Sequence, residues 1–319
     1  IKFVISYLII ALKQDIFTNK MENFLMLDGN SGEPVKGYKG ANLYCKVLAN
    51  DFSDDGIDYI EVKSNGVPNY TPKIGNQVIR GKWNDELKAA TNGEEGNPNS
   101  IEEQNYTFLI PKFVAGDGTG WTKNRKYKLP MGAIGVAVNG IPLYNQWADR
   151  SEENDANETE EFDSCCGHPD GQNKYHYHQY PLCAAGNSSI NRLNISNVSN
   201  YLENLINNNT PSPIIGYMFD GVPLTGPVGY DKDGNIKILK SSFNEEKKYS
   251  EGLGDLDEFN GINSPLEEGG ENVYHYVSTI VSNEDGTKPL FDDDGEIVPA
   301  FPYFINQYKY IPEDINFDN

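Results

Sequence analysis

The sequence predicts a mostly β fold, in which two pseudo-repeated β modules pack as one sandwich- or barrel-like domain with one inserted short helix. Three observations predict this fold class. Helical periodicity is confined to one segment, short apolar runs end repeatedly in turn-forming pairs, and a ten-residue segment occurs twice. The chain has 319 residues, which is enough to bury a sizeable core.

Residues 197–207 form the segment with helical spacing. An Asn-rich run and a proline follow it, and we expect the helix to stop there. The apolar side chains recur at intervals of three and one, as on one face of a helix: Val198, Tyr201, Leu202, Leu205 and Ile206.

Most other apolar runs end in an Asn-Gly or Asp-Gly pair. The glycine of such a pair readily adopts the positive φ that a tight reversal between two strands needs. These pairs predict β-hairpins, and they begin at Asp55, Asn65, Asn139, Asp220, Asp233, Asp285 and Asp294.

Residues 134–143 and 215–224 are two copies of one pattern. Seven of the ten positions are identical or exchange only Asn for Asp or Ile for Val. Each copy is followed by an aromatic-His-aromatic triplet, at residues 175–177 and 274–276. We therefore expect two β modules related by pseudo-symmetry.

The charge balance excludes some classes of partner. Lys and Arg number 26 against 47 Asp and Glu, and the formal net charge is −21. No basic field is present to displace counterions, so we expect no nucleic-acid partner. Phosphate-loop and dinucleotide fingerprints are missing from the sequence, so no nucleotide cofactor is expected.

The first residues are apolar but too few to cross a bilayer, which takes about 20 residues. Residues 1–20 are interpreted as a leader, either a secretory-signal remnant or upstream read-through before Met21; a docked helix is the third possibility. One β domain over residues 21–319 follows, with no stable membrane span. The expected location is extracellular, periplasmic or on a cell or virion surface, or cytoplasmic if Met21 is the true start.

All four histidines of the chain lie in or beside the repeated motifs. His168, His176 and His178 fall within eleven residues, and His275 stands at the matching place in the second copy. Side chains alternate along a strand, so His176 and His178 share one face. We expect the four to converge in one polar pocket, where neutral imidazoles would bind a transition metal, copper or zinc. A metal-free polar network and metal-free acid–base chemistry are the alternatives.

Three carboxylates near these motifs have two possible roles. Asp163, Asp220 and Asp257 could orient an imidazole or bind the metal, or each could cap its own turn. Two acidic stretches, residues 84–104 and 149–161, are expected to be solvated loops without a binding role.

Cys165 and Cys183 flank the three neighbouring histidines, 18 residues apart. A disulfide between them would tie together the two ends of the His-bearing segment. Thiolate ligation of the metal is the alternative. Cys166 is either a thiol or paired with Cys45.

Ordered motifs follow one another from about Val62 to Tyr310. They include Asp-Ser-Cys-Cys-Gly-His-Pro at residues 163–169, Tyr-His-Tyr-His at 175–178 and Asp-Gly-Val-Pro at 220–223. In these motifs the chain resembles the YHYH protein family. The resemblance implies a secreted or surface-associated protein with no established reaction, and it supports the Cys165–Cys183 disulfide. Phe259 and Gln307 stand where family members often carry a further cysteine pair.

Three functions fit these motifs, and we favour the first. It is a secreted or surface-associated protein that binds copper or zinc through its histidine cluster. The second is a structural or decoration protein of a virion or cell surface, in which the motifs only build the fold and the chain self-associates or joins a surface assembly. The third is a metal-dependent hydrolase or oxidoreductase.

Overall fold

The computed structural model describes residues 45–54, 57–74, 77–79, 99–112, 128–184, 195–312 and 316–317. This part of the chain is mostly β, as the sequence predicts. The predictions for the leader, for Met21, for the pair at residues 55–56 and for most of the stretch 84–104 lie outside the described residues. Among the described helices, none has the length and hydrophobicity needed to cross a membrane.

Short strands and two helices make up the described secondary structure. In chain order they are β1 (Val47–Asp54), β2 (Ile57–Ser64), β3 (Lys73–Ile74), β4 (Gln77–Val78), β5 (Tyr106–Pro111), β6 (Ala133–Ala137), β7 (Pro142–Tyr144), α1 (Ala156–Thr159), β8 (Gly167–Pro169), β9 (Tyr175–Tyr177), α2 (Ile195–Asn207), β10 (Ile214–Met218), β11 (Pro223–Thr225), β12 (Val228–Tyr230), β13 (Ile236–Ile238), β14 (Gly261–Pro265) and β15 (Asn272–Val277).

The main sheet has the order β14-β15-β11-β10-β6-β7-β9-β8, and its two halves are related by a pseudo-twofold axis. At the centre, β10 and β6 pair antiparallel with Tyr217 opposite Val136, and these two residues hold the same place in the repeated segments. Outward from the centre, each half repeats one antiparallel, one parallel and one antiparallel pairing. The prediction of two pseudo-symmetric modules is confirmed.

Gly140 and Gly221 make the equivalent first turn of each module. Their φ angles are 79° and 82°, and a Cβ on Gly221 would lie 2.4 Å from the Pro111 carbonyl oxygen. Only glycine combines this φ with so close an approach at little cost. In the described part of the chain, every Asn-Gly or Asp-Gly glycine singled out from the sequence has a positive φ: Gly66, Gly140, Gly221, Gly234, Gly286 and Gly295.

A second sheet covers one face of the main sheet. It has the order β1-β2-β5, and its buried side chains share a core with those of β6 and β10. The ring centroids of Phe108 on β5 and Phe219 after β10 lie 5.4 Å apart. The described strands leave the main sheet open at β14 and β8, so the architecture is sandwich-like rather than a closed barrel.

Helix α2 confirms the predicted helix and begins two residues earlier. Val198 and Leu202, on the predicted apolar face, are fully buried. The helix ends where Asn209 adopts a left-handed conformation with φ of 52°.

Candidate metal centre

A tight loop at residues 163–167 positions the first histidine. Oδ1 of Asp163 accepts the backbone N–H groups of Cys165 at 2.8 Å and Gly167 at 3.0 Å. Cys166 supplies the left-handed residue of the loop, with φ of 67°. The loop leads directly into β8, which places His168 opposite His176 in the β8–β9 pair.

Strand β9 separates aromatic side chains from imidazoles. Tyr175 and Tyr177 are fully buried, and their hydroxyls lie 2.8 Å and 2.6 Å from the hydroxyl of Tyr70. His176 and His178 point the other way, with their Nε2 atoms 3.0 Å apart. The predicted alternation is confirmed, and it follows from the two-residue period of a strand.

Three imidazoles converge at one point. Nε2 of His176 lies 3.0 Å from Nε2 of His168 and 3.0 Å from Nε2 of His178. All three ligand atoms lie within 4.8 Å of one another, and all three residues are buried. A buried histidine triad of this kind could hold a metal ion.

Backbone carbonyls determine which nitrogen of two rings faces the centre. Nδ1–H of His176 donates to the Lys174 carbonyl at 3.0 Å, and Nδ1–H of His178 donates to the Asn145 carbonyl at 2.5 Å. With the proton on Nδ1, a neutral ring presents a lone pair at Nε2. Two lone pairs 3.0 Å apart repel each other, and a cation between them removes the repulsion.

Adding a proton to one of these rings, in place of a metal ion between them, is unfavourable near pH 7. Burial, reinforced by the neighbouring His168 and His178, lowers the pKa of His176 well below its ordinary value. Burial and then His168 lower the pKa of His178 to about 4. Both rings are therefore neutral near pH 7, and neutral imidazole is the form that binds metals.

Glu160 adds a carboxylate that the sequence analysis missed. Its Oε2 lies 3.1 Å from Nε2 of His168 and 3.4 Å from Nε2 of His178. This buried oxygen accepts no hydrogen bond of normal geometry from any described residue. Burial acts to raise the pKa of the Glu160 carboxyl, but contact with His168 and the nearby imidazole of His178 outweigh it and leave that pKa lowered.

The expectation that residues 149–161 form a solvated loop is wrong for Glu160, because its Oε2 is buried against two of the imidazoles. The one signal in the sequence was proximity, because Glu160 stands three residues before Asp163, where the motif begins. Nothing in a run of acidic residues indicates which of them folds back onto a histidine.

Four of the six separations among these atoms suit bonds of about 2.0 Å from all four to one ion. With metal–ligand bonds of about 2.0 Å, the ligands of a tetrahedral ion lie about 3.3 Å apart. Four separations within the group lie between 3.0 Å and 3.4 Å. Three imidazoles and one carboxylate are donors that suit zinc and other first-row metals.

Aromatic side chains hold the imidazoles in position. Tyr144 stacks on His176 with ring centroids 3.8 Å apart and an interplanar angle of 19°. The ring centroid of Phe162 lies 4.9 Å from that of His168. His176 is thus fixed by packing on its face and by a hydrogen bond at its Nδ1, which preorganises this part of the site.

Comparison with known proteins agrees with these motifs. A family model described as "YHYH protein" matches residues 114–284, which is more than half of the chain and includes all four groups of the cluster. The chain belongs to the YHYH protein family. No curated protein and no solved structure matches it. In this YHYH protein, residues 175–178 supply two of the three imidazoles.

A disulfide encloses the YHYH segment. Cys165 and Cys183 are bonded, with Cα atoms 5.4 Å apart, as predicted. Thiolate ligation by these two residues is therefore excluded. Cys45 and Cys166 are buried thiols that are not bonded to each other.

The fourth histidine lies in the other module. His275 on β15 occupies the place that His176 occupies on β9, and its Nδ1–H donates to the Val273 carbonyl at 2.9 Å, two residues earlier, as in the first module. Strand order places five strand spacings between β9 and β15, about 24 Å. The structure therefore does not bring His275 to the triad.

The second module has apolar residues where the first has its other two histidines. Ile262 pairs with His275 across β14 and β15, and Val277 follows two residues later. Both pack with Leu239 and Leu256 in a small apolar cluster. A hydrophobic contact thus occupies the place of the histidine cluster.

Asp163 and Asp257 make the same contacts in their respective modules. Oδ1 of Asp257 accepts two backbone N–H groups of its own turn, as Oδ1 of Asp163 does. Tyr175 donates its hydroxyl hydrogen to Asp163, and Tyr274 donates to Asp257 at 2.9 Å. Each carboxylate thus links a turn to the tyrosine that begins the aromatic-His-aromatic triplet.

Asp220 also binds within the second module. It accepts the hydroxyl of Tyr276 at 2.6 Å and the backbone N–H of Val222 at 3.2 Å. Asn139 holds the same place in the first module, where its amide donates to the Tyr177 hydroxyl at 3.0 Å. Burial is the main cause that raises the pKa of Asp220 to about 6.

A cleft of about 400 Å³ opens beside the triad. His176, His178 and Glu160 line one part of it, and Tyr144 and Trp147 contribute aromatic walls. The cleft connects the histidine cluster with solvent.

Proposed function

We propose that this YHYH protein binds one zinc ion, with copper as the competing metal. His168, His176 and His178 are the ligands through Nε2, and Glu160 is the fourth ligand through Oε2. The proposal rests on the convergence of three buried Nε2 atoms. Two of the rings are oriented by backbone carbonyls, which accept hydrogen bonds from Nδ1–H and so keep the proton on Nδ1.

The donor set suits zinc. Zn²⁺ prefers four nitrogen, sulfur or oxygen ligands, and three imidazoles with one carboxylate supply that number. Cu²⁺ binds most sites more strongly but prefers a tetragonal arrangement.

Comparison of the two modules distinguishes the residues that build the fold from the residues that form the proposed site. The Asp-anchored turn and its tyrosine occur in both modules, at Asp163 with Tyr175 and at Asp257 with Tyr274. The triad occurs in the first module and gives way to apolar side chains in the second. The repeated parts therefore build the sheet, and the unrepeated histidines serve another purpose.

An oxidising location accords with this function. Disulfides such as Cys165–Cys183 persist in secreted and surface proteins. We propose a secreted or surface-associated protein in which residues 21–319 form one YHYH domain behind a leader at residues 1–20.

Elemental analysis of purified protein tests the proposal, with His176→Ala and His275→Ala as a matched pair. The two histidines occupy equivalent strand positions and make the same backbone contact, so the pair controls for the loss of that contact. After incubation with zinc and dialysis, the wild type and His275→Ala should hold one zinc per chain. The His176→Ala variant should hold none.

Equal zinc in both variants would contradict the proposal, and so would a wild type that stays free of metal in excess zinc and copper. The second result would favour a purely structural role for the motifs. Circular dichroism of both variants controls for loss of fold.

A further inference from the structure

The cleft reaches the proposed metal position from the side of Glu160. Of the four groups, His176, His178 and Glu160 line the cleft, whereas His168 is not among its lining residues. The Glu160 side chain is 27% exposed, against 5% for His168 and 4% for His178. A molecule entering the cleft therefore meets Glu160 before the buried imidazoles.

Glu160 is also the group that packing holds least. It caps α1 in an extended conformation, with φ of −120° and ψ of 150°. His176 and His178, by contrast, donate hydrogen bonds to carbonyls, and His176 is stacked on Tyr144. Rotation of the Glu160 side chain breaks the contacts of its Oε2 with the imidazoles of His168 and His178.

Charge decides what could replace the Glu160 carboxylate. A divalent ion with three neutral imidazoles has a net charge of two, which the carboxylate reduces to one. Uncompensated charge is costly in a site that is largely buried. An anionic oxygen donor is therefore the replacement that preserves both charge and coordination.

Polar and aromatic side chains both line the cleft, with Asp170 and Lys174 among the polar ones. Tyr144, Trp147 and Phe317 place aromatic side chains along it, and Met131 lies at its edge. Its volume of about 400 Å³ is in the range of small-molecule sites. Flat aromatic surfaces are well matched to a planar ligand.

We infer that the cleft binds a small carboxylate with an aromatic body, and that the carboxylate of this ligand takes the metal position held by Glu160. The inference rests on the proposed metal site. It makes the metal an exchangeable centre with a position open to ligands, as in catalytic zinc sites, rather than a closed structural centre.

Cobalt(II)-loaded protein tests the inference, because the visible bands of cobalt respond to its ligands. Addition of cobalt alone first reports whether the triad binds metal. Titration with benzoate should then change the bands saturably, at a concentration at least tenfold below that needed with acetate. The Glu160→Gln variant should bind cobalt and respond to benzoate at the same or lower concentration, since the competing carboxylate is gone.

Met131→Glu and Met131→Gln form a matched pair for the cleft. Met131 is 36% exposed, so both variants should fold and bind cobalt as the wild type does. Met131→Glu should weaken benzoate binding severalfold, because like charges repel, and Met131→Gln should not.

Cobalt bands that benzoate leaves unchanged would overturn the inference while the metal site stands. Equal potency of acetate and benzoate would also overturn it, because the cleft walls would then play no part. Absence of cobalt binding would contradict the proposed function, and the inference would fall with it.

Discussion

His168 and Ile262 occupy the same position in the two modules. Each follows a turn anchored by an aspartate, and each pairs with a histidine on the adjacent strand: His168 with His176, and Ile262 with His275. The same backbone therefore accepts either an imidazole or an isobutyl-sized side chain at this place. This equivalence allows the proposed metal site to be removed by a substitution that the fold has already accommodated.

The double variant His168→Ile, His178→Val copies the second module into the first. It should fold, keep a wild-type circular dichroism spectrum and bind no zinc. Without metal it should be at least as stable as the metal-free wild type, because apolar side chains carry no buried polar groups that need partners. Denaturant unfolding and elemental analysis measure both effects. An unfolded variant would show that the imidazoles are needed for the fold itself.

The reverse substitution should create a second site. Ile262→His with Val277→His completes a triad around His275, and Gly254 stands in the place of Glu160. Zinc should rise from one to two per chain, and added zinc should increase the unfolding temperature of this variant more than that of the wild type. A zinc content that stays at one per chain would show that the second module cannot form the site, even with histidines at all three matching positions.

The disulfide should stabilise the chain measurably. Replacing Cys165 and Cys183 by alanine should lower the free energy of unfolding by about 3 kcal/mol in the chain-entropy treatment of an 18-residue separation. Denaturant unfolding with and without a reducing agent measures the change. The reducing agent should not change the free energy of unfolding of the variant. A wild type whose free energy of unfolding is also unchanged by the reducing agent would refute the prediction.

Asp220 should make stability depend on pH. Burial raises its pKa in the folded protein from 3.8 to about 6, so protonation favours the folded state. This contribution is fully present below pH 3.8 and is lost as pH rises through 6. Asp220→Asn, which copies Asn139 of the first module, removes it.

The difference in unfolding free energy between Asp220→Asn and the wild type should therefore shift by about 2 kcal/mol between pH 4 and pH 7, in favour of the variant at the higher pH. Parallel stability profiles of the two proteins over this range would contradict the assignment.

Local patterns account for what the sequence predicts well. Glycine pairs such as Asn139-Gly140 report positive φ directly, and the alternation in residues 175–178 follows from strand geometry alone. The duplicated segment predicts the two modules, because each copy must pair in the same way.

Tertiary arrangement accounts for what the sequence could not predict. The pseudo-twofold axis lies between β6 and β10, which sends equivalent residues such as His176 and His275 to opposite halves of the sheet. An internal repeat alone does not distinguish this arrangement from one in which the copies meet. Glu160 was missed for the same reason, since its approach to His168 depends on how the segment before the motif folds back.

X-ray absorption at the zinc edge of zinc-loaded protein tests the central claim most directly, because it reports the atoms bound to the metal. A first shell of four nitrogen or oxygen atoms at about 2.0 Å, with the outer-shell scattering of three imidazoles, is the predicted result. His275→Ala should leave this spectrum unchanged. A sulfur shell at about 2.3 Å, or a shell of oxygen atoms without imidazole scattering, would contradict a centre formed by His168, His176 and His178.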